Sequence, residues 1–182
     1  SRWVAGVYYL NIDSESDNGL KGPQASFADV FGGVPIDVGT VAGLETDSYS
    51  VFGQMEFDLT DRVTLIGGLR AMREEKDFEL NIGVAPSESS FVVNTHPCFS
   101  DASQCFPGTG VEYSDDVSEN YWAGKLQVTY DMSDDLMLYG GVNRGVKAGS
   151  YNAPLLGAFY GAGGPGSLPY DEEVLTSYEG GF

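Results

Sequence analysis

Apolar and polar side chains alternate along most of the chain, the pattern of strands that turn one face to oil and the other to water. Six segments carry it, near residues 2 to 13, 46 to 59, 62 to 82, 117 to 131, 135 to 150 and 173 to 182. LTDR joins the second segment to the third and DMSDD the fourth to the fifth, whereas the connections near 14 to 45, 83 to 116 and 151 to 172 are long. Short and long connections in strict alternation predict an all-β, up-and-down antiparallel sheet, with tight turns at one end and long loops at the other.

The two faces differ in chemistry. One parity of the second segment gives Tyr49, Val51, Gly53, Met55, Phe57 and Leu59, and the other gives Ser50, Phe52, Gln54, Glu56 and Asp58. In the fourth, Trp122, Gly124, Leu126, Val128 and Tyr130 alternate with Tyr121, Ala123, Lys125, Gln127 and Thr129. An internal repeat supports this register, because FDLTDRVTLIGGLR (57 to 70) aligns without gaps on YDMSDDLMLYGGVN (130 to 143). Both copies read as one hairpin.

Aromatics stand at both ends of the oily faces, Tyr49 and Phe57 on one strand and Trp122 and Tyr130 on another, each pair eight positions apart. Eight positions of tilted strand cover roughly 20 Å along a barrel axis, which approaches the apolar band of roughly 25 Å between the aromatic girdles of an outer-membrane barrel. These four are therefore read as girdle residues. Leu136, Leu138, Gly140 and Val142 would face lipid, with Arg144 at the upper rim, where a long cation reaches the headgroups. A soluble sandwich whose oily faces pack on a second sheet is the competing reading.

Composition narrows the field. With 27 acidic against 9 basic residues the net charge is -18, which argues against a nucleic-acid partner. The 42% hydrophobic content is too rich for a disordered acidic tail, and the 25 glycines disfavour helices. No run of about 20 apolar residues exists to cross a membrane as a helix. The opening SRWVAGVYYL is already strand-like and carries no signal peptide, so the chain is expected to be an interior piece of a longer mature protein.

YGGVNRGVKAGSYN (139 to 152) resembles a segment common in TonB-dependent receptors of Gram-negative outer membranes. SYSVFGQMEFDLTDRVTLIGGLR (48 to 70), WVAGVYYLNID (3 to 13) and LPYDEEVLTSYEGGF (168 to 182) are similar to other strands of the same family. The likeness covers the strands and fails in the long loops. It implies a six-strand segment of a transmembrane β-barrel of about 22 strands, its lumen filled by a plug domain. No plug and no TonB-engaging box are recognised in this chain, and six strands alone would leave two costly open edges in lipid. The implied partners are outer-membrane lipid, the rest of the barrel and plug, TonB, and a small ligand: a ferric siderophore, a cobalamin-like cofactor or an oligosaccharide. The implied place is the bacterial outer membrane, with long loops extracellular and short turns periplasmic. The rivals are a passive porin or adhesin barrel and a soluble secreted all-β binding module.

Candidate chemistry is sparse. Cys98 and Cys105, in a loop at the predicted outer end, read as a local disulfide worth about 2.5 kcal/mol of restraint. A metal site using His96 with both thiols lacks a fourth ligand. DSESDNG (13 to 19) fails the EF-hand pattern and reads as a solvated acidic loop, and GAGGPGS (161 to 167) has no helix after its glycines. No catalytic set, metal site or cofactor is expected, and the chain is not read as an enzyme. Glu56, Arg70, Lys125, Asn143 and Lys147 are read as polar lumen residues that salt-bridge to one another or to a plug. Phe27, Phe31, Phe159 and Tyr160 are the loop aromatics expected to touch ligand.

Overall fold

The computed structural model describes residues 1–20, 36–86, 105, 110–152 and 167–182. Among these residues eight strands run in chain order as β1 (Arg2–Leu20), β2 (Ile36–Thr60), β3 (Val63–Pro86), β4 (Val111–Ser133), β5 (Leu136–Lys147), β6 (Ser150–Tyr151), β7 (Pro169–Tyr170) and β8 (Glu173–Gly181). Six of them form one antiparallel sheet in the order β1-β2-β3-β4-β5-β8, and β6 and β7 form a separate small hairpin. β1 and β8 are the edges, so the sheet is an open piece of wall rather than a closed barrel.

The sequence repeat is a repeated piece of geometry. Each copy has a register shift just before its turn, between Asp58 and Thr60 in one and between Asp131 and Ser133 in the other. Thr60 Oγ then accepts the backbone N–H groups of Arg62 at 3.2 Å and Val63 at 3.1 Å, and Ser133 Oγ accepts that of Asp135 at 3.4 Å. A hydroxyl at this place satisfies turn donors that the ladder leaves open, which is why both copies carry Thr or Ser there. The Asp131 N–H bonds the Arg62 carbonyl at 2.8 Å and ties one turn to the next strand.

The strands outrun the sequence reading. β1 continues through DSESDNG to Leu20, β2 starts at Ile36, β3 runs to Pro86 and β4 starts at Val111, so residues 14–20 and 36–45 of the first expected loop and 83–86 and 111–116 of the second are strand. The acidic stretch is therefore the end of β1 and not a loop, each residue paired with β2 from Asp13↔Glu45 to Leu20↔Val38. The third long connection contains the β6–β7 hairpin.

Length decides where these strands can lie. β2 has 25 residues, about 80 Å of strand and about 60 Å along the axis of a barrel tilted by about 40°. That is more than twice the apolar band of an outer-membrane barrel, so in such a barrel the half of β2–β4 farthest from the tight turns would stand beyond it.

The apolar face changes sides between the two halves. Near the turns, the apolar parity of β3 is Val63, Leu65, Leu69 and Ala71; farther along it is Phe78, Leu80 and Ile82, which point the opposite way. β2 and β4 switch in step, from Val51, Leu126 and their neighbours on one face, labelled outer below, to Ala42, Leu44, Tyr113 and Val117 on the opposite face, which carries the buried cluster and is labelled inner. The sheet register itself continues unbroken through the switch.

Candidate functional site

The inner face of the far half carries the buried core. Leu80 is 1% exposed and Phe78 3%, and they pack with Ala42, Ile82 and, from the β6–β7 segment, Tyr151 and Leu168. The rings of Phe78 and Tyr151 stack 4.4 Å apart at 5°. The Tyr113 and Tyr151 hydroxyls both donate to Asp115 Oδ2, each at 3.1 Å. Desolvation, followed by the bond to Asp115, raises the pKa of both phenols above the ordinary tyrosine range. The Gly149 N–H donates to the Tyr121 hydroxyl at 3.4 Å, and the Asn152 N–H to the Leu168 carbonyl at 2.8 Å. The hairpin is thereby strapped to the inner wall by the Phe78–Tyr151 stack and by the Tyr151–Asp115 and Gly149–Tyr121 hydrogen bonds, while the Asn152–Leu168 bond lies within it. None of this was expected from the sequence, where 151 to 172 read as loop.

The outer face of the near half is bare and oily. Val7 is 84% exposed, Leu69 60%, Val51 57% and Leu126 51%, while Leu138 is partly covered. Tyr49, Phe57, Trp122 and Tyr130 all lie on this face and are all exposed. Tyr49 is paired with Tyr9 across the strands, ring centroids 5.1 Å apart. Arg144 also projects on this side. It lies over the Trp122 ring, 4.1 Å from the centroid, and donates to the Trp122 carbonyl.

Glu56, Arg70, Lys125, Asn143 and Lys147 share the inner face with the buried core, as strand parity requires. Lys125 and Asn143 are register partners, but among the described residues none of the five makes an ion pair or a side-chain hydrogen bond with another. Glu56 takes Arg2 at 2.7 Å, Lys147 takes Glu173 at 3.0 Å, and Asn143 donates to Glu179 Oε1 at 3.1 Å. Arg70 lies over the Tyr8 ring, 5.5 Å from its centroid. Lys125 is exposed, and among the described residues it has neither an ion pair nor a hydrogen bond.

The remaining sequence candidates are less visible. Cys105 is buried and disulfide-bonded, and Cys98 and His96 lie outside the described residues. Phe27, Phe31, Phe159 and Tyr160 also lie outside them. Among the described residues no group of three His, Cys, Asp or Glu side chains is placed to hold a metal, and no helix is long and apolar enough to cross a membrane.

The whole chain, residues 1–182, matches the family model described as TonB dependent receptor-like, beta-barrel. Among solved structures it is similar to the ferric yersiniabactin uptake receptor FyuA from Yersinia pestis, with a TM-score of 0.65 at 16% identity over 98% of this chain. The chain spans 22% of the length of that receptor. No curated protein matches it.

Proposed function

The chain belongs to the TonB-dependent receptor-like β-barrel family, and on that footing we propose that it is part of the wall of a bacterial outer-membrane receptor that imports a scarce ligand. The observation that carries this reading is the change of apolar face along β2–β4. A wall in hydrocarbon must be oily outside, because lipid offers no partners for polar groups. Beyond the bilayer the outside meets water, and the oily parity serves a packed interior instead. Val63 to Ala71 and Phe78 to Ile82 follow that order on one strand.

In this reading the long connections and the β6–β7 strap are extracellular and the tight turns periplasmic. The outer aromatics Tyr49 and Trp122 stand near one interface, Phe57 and Tyr130 near the other. Cys98 and Cys105 close a loop on the extracellular side. Ligand is held by loops and by a plug in the lumen, and its release is driven through TonB; this chain makes and breaks no bond. A ferric siderophore is the first candidate, because the structurally similar FyuA takes up ferric yersiniabactin; a cobalamin-like cofactor and an oligosaccharide are the others.

Growth of a strain lacking the whole receptor gene, on a panel of iron and carbon sources, tests this. A defect confined to one ferric chelate, or to one oligosaccharide, is expected, and TonB deletion should reproduce it. Slow entry of many small solutes that does not depend on TonB would contradict the proposal and indicate a passive pore.

A further inference from the structure

One seam of the sheet stops short. β4 is laddered to β3 as far as Ile82↔Val111, but to β5 only as far as Gly124↔Arg144. β5 itself goes on to Lys147, paired there with Glu173 of β8, and the chain then turns onto the inner face, where Tyr151 stacks on Phe78 and bonds Asp115. The strap pairs only within itself, β6 with β7. Among the described residues the far half of β4 therefore has a strand on one side and none on the other.

The last contact on the open side fixes which backbone groups face it. The Trp122 carbonyl accepts from the Arg144 guanidinium, in place of a ladder partner on β5. The N–H and C=O of alternate residues point to the same side of a strand, so those of Ser114, Asp116, Ser118 and Asn120 face this open side, while those of Tyr113, Asp115, Val117 and Glu119 meet β3. The first four side chains are exposed, and no backbone bond from another described segment reaches them. A row of unpaired backbone groups is a template for a further strand.

Charge selects what can pair there. On the outer face the register sets Asp116 beside Asp77 and Ser118 beside Glu75, and those two carboxylates beside Glu45 and Asp47 of β2. Arg73 lies on the same face but is already taken by Glu75. A second copy of this chain, with a net charge of -18 and the same acidic edge, would bring like charges together. An extended segment with Lys or Arg at alternate positions satisfies both the backbone edge and the carboxylates beside it.

We propose that the free edge of β4 from Ser114 to Asn120 is a docking site for an extended basic segment of another protein, which adds to the sheet as a further strand. The inference goes beyond ligand import and rests on that reading only in placing the far half of β4 in water outside the cell.

The probe is a synthetic decapeptide of alternating Lys and Thr, added at low salt to the whole receptor in nanodiscs. It should bind saturably and slow hydrogen exchange at the amides of Ser114, Asp116, Ser118 and Asn120, which in the free receptor exchange faster than those of Asp115, Val117 and Glu119. Ser118→Pro removes one open donor without touching the β3 ladder and should weaken binding about tenfold, as should Asp116→Lys. The matching peptide of Glu and Thr, and the Lys peptide N-methylated on its lysines, should not bind. Absence of saturable binding, or binding that survives N-methylation, would overturn the proposal, and the N-methyl comparison leaves the receptor itself unaltered. Labelling of Ser118→Cys by a membrane-impermeant maleimide in intact cells checks the placement separately. A Cys there that stays unreactive would refute the extracellular reading, whereas a labelled Cys with no peptide binding would refute the docking edge alone.

Discussion

Tyr151 lies flat on Phe78, ring to ring at 4.4 Å, and so joins the strap to the far half of β3. Both rings are buried, Phe78 at 3% exposure and Tyr151 at 9%. Phe78→Ala and Tyr151→Ala are each expected to cost about 3 kcal/mol, whereas Tyr151→Phe keeps the stack and loses about 1 kcal/mol with its bond to Asp115. Hydrogen exchange at β6 and β7 checks this: exchange should accelerate sharply in the two Ala variants and modestly in Tyr151→Phe.

The Tyr151 phenol, together with that of Tyr113 on β4, which shares its Asp115 acceptor, sets an alkaline limit on the strap. Their neutral form is favoured in the fold by desolvation and by Asp115, so their folded pKa lies above the unfolded value near 10. The folded state then holds protons that the unfolded state releases. The stabilisation is complete below about pH 10 and is lost as pH rises through the folded value. Protection of β6 and β7 should therefore fall on the alkaline side, with Tyr151→Phe shifting the fall to higher pH. Loss of protection centred below pH 9 would contradict this assignment.

Two glycines, Gly67 on β3 and Gly141 on β5, should respond oppositely to alanine. At Gly141 a Cβ would meet the Leu126 carbonyl oxygen at 2.8 Å, a backbone atom that cannot swing aside, so Gly141→Ala should destabilise by about 1–3 kcal/mol. At Gly67 nothing lies within 4 Å, and Gly67→Ala should be neutral or slightly stabilising. Denaturant unfolding of the two variants in detergent decides it.

Arg144 and Trp122 hold each other on the outer face. A guanidinium so placed gains from the ring beneath it and from the carbonyl it bonds, and loses both when truncated. A double-mutant cycle of Arg144→Ala and Trp122→Ala should give a coupling of about 0.5–2 kcal/mol, with Arg144→Lys retaining less than half. A coupling near zero would mean that the cation is stabilised by headgroups instead.

What the sequence revealed follows from where one face is oily and the other is not. Val51, Met55, Leu126 and Val128 alternate against Ser50, Gln54, Lys125 and Gln127, so the near halves, the inner-face polar residues and both tight turns were legible. Beyond them both parities are polar: Asp13, Glu15 and Asp17 face one way and Ser14, Ser16 and Asn18 the other, and a strand without contrast reads as loop. Phe78, Leu80 and Ile82 do alternate, but the inverted phase becomes apparent only when they are counted against Val63 and Leu65. Tyr151 sits in a short polar stretch, and its partners Phe78 and Asp115 are distant in sequence. That Arg70 and Lys125 have no carboxylate partner among the described residues follows from register and could not be read from composition.

The most direct test of the central claim is spin-label accessibility along β2 and β4 in the whole receptor reconstituted into lipid. Labels at Val51 and Leu126 should be reached by oxygen and shielded from a polar relaxation agent, labels at Gln54 and Lys125 should show the opposite, and on β3 the contrast should end near Arg73, so that Asp77 and Glu79 meet water. Polar accessibility at Val51 and Leu126, or an oxygen-accessible outer face continuing unchanged to Glu79, would contradict a wall that passes from lipid into water.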